Sequence, residues 1–194
     1  MSLLVVGLGN PGAEYAATRH NLGFLVVDEL ASRAGSPAFR RKFHGEVAEA
    51  RVGGEPATLL KPLTYMNESG RSVQAAVAFY KLPLTALLVV HDELDLPFAE
   101  VRLKSGGGDA GNRGIRSIIA QLGTPDFARL RVGIGRPPPG FRGSAADFVL
   151  QGFAPAERAE LAALVARAAD AAELIATRGL AAAMNITHRQ KPPG

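Results

Sequence analysis

Two short apolar runs constrain the fold of this chain more than any other feature. Residues 3–6 and residues 87–90 both read Leu-Leu-Val-Val, and each stops at a glycine or a polar residue. Short runs that are apolar at every position are typical of strands buried on both faces of a sheet. We therefore predict a buried strand at each run.

The rest of the chain alternates between helical and extended patterns. Helical spacing of apolar residues is found at 20–33, 67–81, 114–122 and Pro155–Arg178. Strand patterns are found at 47–51, 57–61, 100–104 and 130–134. Because Gly53-Gly54 joins two strands directly, the sheet is not purely parallel. The sequence predicts a single α/β domain over residues 1–187, with a mixed, mostly parallel, twisted sheet and helices on both faces, followed by a basic, flexible tail at 188–194.

Composition excludes several kinds of chemistry. The 194 residues include no Cys, so a thiol nucleophile, a disulfide framework and a thiolate metal site are impossible. No stretch approaches the roughly 20 apolar residues of a membrane span, and the first residues lack a basic leader. We therefore expect a cytoplasmic protein without a membrane partner. The net charge is +4 and most cations are Arg, which suits phosphate, although a solvated surface is the other interpretation.

Residues 7–12 (Gly-Leu-Gly-Asn-Pro-Gly) match the letters of a dinucleotide-binding loop and follow a predicted strand. The context disagrees in two ways. Pro11 removes one of the N–H groups that would face a pyrophosphate, and the acid expected about 20 residues on, Asp28, lies inside a predicted helix. Nicotinamide or flavin binding is therefore disfavoured.

The residues able to perform acid–base chemistry are concentrated in two places. His20 begins a predicted helix, and the segment 91–95 (His-Asp-Glu-Leu-Asp) ends a buried strand. This segment could bind a metal, but it lacks a second His at ligand spacing and its neighbours point to opposite faces. Alternatively, one carboxylate orients a His from elsewhere. Without Cys or a nucleophilic Ser motif, the economical nucleophile is water activated by a His–Asp pair.

Three amide side chains could hold a substrate carbonyl or the attacking water. They are Asn10, Asn67 and Asn112, each in a predicted loop or at a helix start. For Asn67 the alternative is a purely structural role as a helix N-cap, and sequence alone leaves both open.

Several long blocks of the chain, from Leu4 to about residue 188, closely resemble the bacterial peptidyl-tRNA hydrolase family. The blocks are residues 6–12 with Tyr15, residues 19–21, 61–70 (KPLTYMNESG), 91–97 (HDELDLP), 104–108 (KSGGG) and 129–137 (RLRVGIGRP). The resemblance implies a monomeric mixed α/β fold that needs no metal or organic cofactor. It also implies hydrolysis of the ester that joins a peptide, or an N-blocked aminoacyl group, to the 3′ end of tRNA, which recycles tRNA from stalled translation.

The resemblance assigns roles to individual residues. His20 matches the base that takes the water proton, Asp92 the acid that stabilises its working form, and Asn10 the residue that favours blocked aminoacyl ends. The positions that match contacts to the substrate end, including the 3′ CCA, are Tyr15, Tyr65 and Asn67. The positions that match a basic region for phosphates of the acceptor stem are Arg102, Lys104 and Arg131.

One loop departs from the family pattern. Where the family usually has Gly-His-Asn-Gly, residues 111–114 read Gly-Asn-Arg-Gly. Either Asn112 takes over the expected Asn contact through a shifted loop, or Arg113 binds a phosphate or carbonyl with its own donors. A non-catalytic RNA-binding relative is the alternative from another functional class. Such a relative need not keep His20, Asp92, Asn10 and Asn67 together, as this chain does.

Overall fold

The two apolar runs form neighbouring strands at the centre of a mixed sheet. The computed structural model describes residues 2–190, and the sheet in this part of the chain has seven strands. The strands are β1 (Leu3–Gly7), β2 (Arg40–Lys42), β3 (Gly45–Val52), β4 (Glu55–Pro62), β5 (Leu87–Glu93), β6 (Val101–Ser105) and β7 (Ala128–Gly133). They lie in the order β2-β3-β4-β1-β5-β7-β6. The four central strands are parallel and the other three are antiparallel to their neighbours.

Helices cover both faces of this sheet. They are α1 (Leu22–Arg33), α2 (Ser69–Tyr80), α3 (Arg113–Leu122), α4 (Ala145–Val149), α5 (Pro155–Arg178) and α6 (Leu180–Arg189). Val5 of β1 joins one core with α1, α4 and α5, while its neighbours Leu4 and Val6 join a second core with α2 and α3. Adjacent strand residues point to opposite faces, so a strand between two cores must be apolar throughout. The predicted single-domain α/β fold is confirmed.

The structure also contains elements that the sequence patterns did not indicate. Strand β2 consists of three basic residues at the edge of the sheet, and α4 has only five residues. Helix α6 follows Gly179 directly and includes His188 and Arg189. The tail predicted at 188–194 therefore begins too early, because these two residues complete a helix. Residues 191–194 lie outside the described residues.

Helix α1 packs against the sheet at backbone contact distance. A Cβ atom on Gly23 would lie 2.4 Å from the Leu8 nitrogen and 2.5 Å from the Val90 oxygen, and one on Gly7 would lie 2.2 Å from the Gly23 oxygen. Only glycine permits this approach. The contact fixes the start of α1, and the short 3₁₀ turn Arg19–Asn21 before it, over the carboxyl ends of β1 and β5.

We expect Gly23→Ala to destabilise the protein by about 1–3 kcal/mol or more, because the added methyl group forces α1 away from β1 and β5. Urea unfolding monitored by circular dichroism measures the change. Ser32→Ala, on the exposed side of the same helix, is the control and should change the free energy of unfolding by less than about 0.5 kcal/mol. Equal stability of the two variants would contradict the close packing described here.

Candidate active site

The loops that follow the carboxyl ends of β1, β4 and β5 border one cleft of about 520 Å³. Seven of the predicted site residues line it, namely Asn10, His20, Tyr65, Asn67, Asp92, Asn112 and Arg113. Helix α4, which sequence patterns missed, supplies an apolar wall through Ala145, Ala146 and Val149. The cleft thus combines polar groups on one side with apolar side chains on the other, as small-molecule sites commonly do.

A His–Asp pair lies in this cleft. His20 Nδ1 is 2.9 Å from Asp92 Oδ2 and 3.1 Å from Oδ1, although the two residues are 72 positions apart in sequence. Both residues are largely buried, at 9% and 4% exposure. A carboxylate facing Nδ1 selects the tautomer with hydrogen on that nitrogen, which leaves the lone pair on Nε2. The pair therefore has the arrangement of an oriented general base.

Asp92 and Arg113 have opposite effects on the pKa of His20. Burial alone would lower the pKa of His20, but the charge and hydrogen bond of Asp92 outweigh it, so the pKa is raised above 6.5. The nearby charge of Arg113 acts in the opposite direction and lowers it. The imidazole is therefore a stronger base than a free histidine, and Arg113 moderates it.

Asn112 also contacts Asp92. Its Oδ1 accepts a hydrogen bond from the Ile115 backbone N–H (3.0 Å) and caps α3. The amide orientation is thereby fixed, and Nδ2 faces Asp92 at 3.4 Å from Oδ1 and 3.5 Å from the carbonyl oxygen. The N-cap role considered for Asn67 is wrong, since Asn67 lies inside the 3₁₀ turn Met66–Glu68. Asn112 is the asparagine that caps a helix.

Asn10 is held by two neighbouring loops. Its Oδ1 accepts from the Met66 backbone N–H (2.7 Å), and its own N–H and carbonyl pair with the side chain of Asn21 at 2.8 and 2.9 Å. With Oδ1 engaged, Nδ2 is the amide atom that can donate to a ligand in the cleft. Asn21 was missed by sequence reasoning, which had only its place beside His20 as a signal. Met66 and Asn21 thus orient Asn10, and the Asn10 N–H is not free for a pyrophosphate.

Tyr65 lies on one rim of the cleft, and Tyr15, which does not itself line the cleft, packs against it. The rings of Tyr15 and Tyr65 meet edge to face with centroids 6.4 Å apart, and Tyr65 is 52% exposed. Tyr65 has φ 64° and ψ 155°, a conformation that strongly favours glycine. Such strained residues concentrate at ligand sites. Asn67 is exposed on the same rim.

The acidic segment 91–95 does not converge on one point. Asp92 turns toward His20, whereas His91 is buried with Nδ1 donating to the Asp92 carbonyl oxygen (2.8 Å). Burial lowers the pKa of His91 to about 4, so it is neutral. Among residues 2–190, no cluster of three or more His, Asp or Glu side chains is arranged to hold a metal ion. No helix in that part of the chain is long and apolar enough to cross a membrane.

Comparison with known proteins identifies the family of this chain. The family model described as peptidyl-tRNA hydrolase matches residues 4–193. This chain belongs to the peptidyl-tRNA hydrolase family. It is 56% identical to the peptidyl-tRNA hydrolase of Sorangium cellulosum over 192 residues, which cover 99% of this chain and 86% of that one. It is 52% identical to that of Mycobacterium tuberculosis H37Rv over 187 residues, or 96% and 97% of the two chains.

A solved member of the peptidyl-tRNA hydrolase family has the same fold. The crystal structure of the Acinetobacter baumannii enzyme is similar with a TM-score of 0.90 at 39% identity, covering 99% of this chain and 97% of that one. The prediction that this chain is a hydrolase of this family is confirmed.

The three basic residues predicted to meet tRNA do not line the cleft of this chain. Arg102 and Lys104 of β6 share one face of the sheet with Arg131 of β7, and Arg102 is directly opposite Arg131. Helices α5 and α6 pack on the other face, where Leu103 joins the core. These three cations, each of them half-buried, therefore form a basic strip along the edge of the sheet.

A fourth cation of this face, Arg129, is buried and has a different task. Its guanidinium donates to the carbonyl oxygens of Gly107 (2.8 Å), Pro125 (2.9 Å) and Gly108. Sequence reasoning did not single it out, because Arg129 and Arg131 flank the same apolar residue in the same block and nothing local distinguishes them. Arg129 therefore ties the loop at 106–112, which follows β6 and leads to Asn112 and Arg113, to strand β7.

We expect Arg129→Met to destabilise the protein by about 2–4 kcal/mol, since three carbonyl groups lose a charged donor. Chemical unfolding gives the free energy, and amide hydrogen exchange should show the loop at 106–112 opening. Arg131→Met, a change of the same size on the same strand, should cost less than about 1 kcal/mol. Similar losses in the two variants would mean that Arg129 does not hold the loop.

Proposed function

We propose that this protein hydrolyses the ester that joins a peptide, or an N-blocked aminoacyl group, to the 3′ end of tRNA, and so recycles tRNA from stalled translation. The observation that carries the proposal is the His20–Asp92 pair, whose nitrogen-to-oxygen distance is 2.9 Å, inside a cleft lined by donor amides. Family membership supports the ester and the tRNA.

The pair supplies a complete reaction. Asp92 holds the imidazole with hydrogen on Nδ1, and Nε2 takes a proton from water as its oxygen attacks the ester carbonyl carbon. The bond from that carbon to the 3′ oxygen of the terminal ribose then breaks. The imidazolium returns its proton to the leaving oxygen, which gives a free tRNA hydroxyl, and the peptide carboxylic acid loses the second proton of the water to solvent and leaves as the carboxylate. Asp92 stabilises the transient cation without itself accepting the proton.

The amides and tyrosines recognise the substrate end. Asn10 Nδ2 is free to donate to a carbonyl oxygen, and an N-blocked substrate offers one more carbonyl than a free aminoacyl end. This is consistent with selection of blocked ends by Asn10. Tyr65 and Asn67 lie on the rim, where the exposed Tyr65 ring can stack on a base of the CCA end, and Tyr15 supports that ring from beside it.

In the loop that differs from the family pattern, residues 111–114, Asn112 and Arg113 have separate roles. Asn112 is engaged by the cap of α3 and by Asp92, so it acts as a positioning residue for the carboxylate. Arg113 is exposed in the cleft as the first residue of α3 and provides the substrate contact with its own donors. A guanidinium suits a phosphate or carbonyl oxygen.

The basic strip binds the acceptor stem. Arg102, Lys104 and Arg131 lie on one face at the sheet edge, where a duplex can reach their charges. Contacts of this kind are sequence-independent and weaken with salt.

We expect His20→Ala to reduce kcat/KM for N-acetyl-aminoacyl-tRNA by at least about a hundredfold, because the general base is lost. The assay follows release of the acylated amino acid and is repeated with free aminoacyl-tRNA, which should be cleaved slowly by the unmodified protein. His44→Asn, at an exposed histidine of a turn, is the matched control and should retain full activity. Normal turnover by His20→Ala would refute the mechanism. An unmodified protein that binds tRNA without cleaving the ester would indicate an RNA-binding relative instead.

We expect Arg113→Asn to raise KM about tenfold, since a charged hydrogen bond to substrate is lost. It should also move the acidic limb of the pH profile of kcat/KM. Activity rises with pH as His20 loses its proton, and removing the cation that lowers the pKa of His20 shifts that limb to higher pH. Arg113→Lys keeps the charge and should leave the limb in place. If Arg113→Asn stays within about threefold in KM and shows no shift of the limb, Arg113 has no such role.

A further inference from the structure

The outer edge of β6 is closed by a histidine side chain. Strand β6 is the last strand of the sheet, so the backbone N–H groups on its outer side face no neighbouring strand in the described part of the chain. The N–H of Leu103 donates instead to Nε2 of His188, at 3.0 Å, from the last turn of α6. This bond joins the end of the described chain to the sheet edge 85 residues earlier.

The bonded residue lies between two cations of the basic strip. Leu103 points into the core beneath α5 and α6, whereas Arg102 and Lys104 point to the opposite face, beside Arg131. Because side chains alternate along a strand, the position of the Leu103 backbone fixes where both cations project. The bond to His188 therefore acts on the basic strip without contacting anything bound to it.

We propose that His188 is a positioning residue for tRNA binding: its neutral imidazole holds β6 in place, and protonation of the imidazole releases the strand and weakens the contact of Arg102 and Lys104 with phosphate. This inference rests on the proposed function of the chain. It assigns to α6 a task beyond closing the core.

The contact requires a neutral imidazole. Nε2 must present a lone pair to the Leu103 N–H, and a protonated histidine carries hydrogen on both nitrogens and accepts from neither. Burial lowers the pKa of His188 and the charges of Arg102 and Arg131 lower it further, while the backbone of Leu103 and the charge of Glu100 raise it by less. The net pKa lies below 6.5, so the bond is present at neutral pH and is lost as the pH falls through that lowered value.

The charged groups around α6 act in the same sense or are engaged elsewhere. Arg167 of α5 donates to the carbonyl of Ala99, and Glu100 accepts from Arg102 at 2.8 Å. Arg189 follows His188 on its own helix and is exposed. A second proton on His188 therefore meets mainly positive neighbours, which repel it and place the release at a pH below the ordinary histidine value.

The test compares His188→Ala with His188→Gln in the full chain, using N-acetyl-aminoacyl-tRNA for KM and kcat and uncharged tRNA for Kd. At pH 7.5 we expect His188→Ala to raise KM and Kd about three- to tenfold, the range that one hydrogen bond contributes, with kcat unchanged. Gln offers an amide oxygen as acceptor and should stay within about twofold. Asn185→Ala, exposed on the same helix, is the control and should match the unmodified protein.

A second measurement separates titration from general loss of structure. Between pH 7.5 and 5.5 the Kd of the unmodified protein should rise more than that of His188→Gln, which cannot titrate at this position, while kcat falls equally in both through His20. Exchange of the Leu103 amide should accelerate in His188→Ala. An unchanged Kd in His188→Ala, or equal pH dependence of Kd in the unmodified protein and His188→Gln, would overturn the inference.

If His188→Ala does not fold, the pH comparison with His188→Gln remains decisive. Loss of ester cleavage with intact tRNA binding would refute only the hydrolase proposal, since Kd still tests His188.

Discussion

The contact of α1 with β1 and β5 is the constraint on which the site depends. Backbone approaches backbone at Gly7 and Gly23, and no side chain fits between them. This contact places the start of α1 directly above the end of β5, so that His20 and Asp92 meet at hydrogen-bond distance. A helix one side chain further from the sheet would separate the base from its carboxylate. The geometry of the His20–Asp92 pair is therefore set by packing of the fold rather than by a flexible loop.

Polar groups buried around the cleft support one another in pairs. Asn21 satisfies the backbone of Asn10, Asn10 satisfies the backbone of Met66, and Asn112 satisfies both α3 and Asp92. Each amide is fixed in orientation because at least one of its ends is engaged with backbone. In Asn10 the other end, Nδ2, is left for a ligand and is oriented before the ligand arrives, so little reorganisation is needed on binding. Replacing one of these amides would disturb its partner loop as well as the cleft.

The sequence predicted the elements that apolar periodicity controls, and β1, β5 and α5 are examples. It did not reveal β2, whose three residues are all basic, or α4, which is too short to show a helical period. Within the site, the blocks around His20 and Asp92 identified the pair, but the choice between Asn67 and Asn112 as helix cap needed the geometry. Arg129 and His188 were hidden for the same reason: each acts on backbone atoms of a distant segment, and no local pattern records such a contact.

Cations in this protein differ in role according to what surrounds them. Arg129 is enclosed by carbonyl oxygens and fixes a loop, whereas Arg102, Lys104 and Arg131 keep their charges at the sheet edge. Arg113 stands between these cases, exposed in the cleft yet close enough to oppose Asp92 in setting the pKa of His20. A substrate phosphate bound to Arg113 would neutralise that opposition and raise the basicity of His20 when substrate is present. Under the proposed function, Arg113 would thus couple substrate recognition to the strength of the base, an effect that an uncharged Asn at position 113 could not produce.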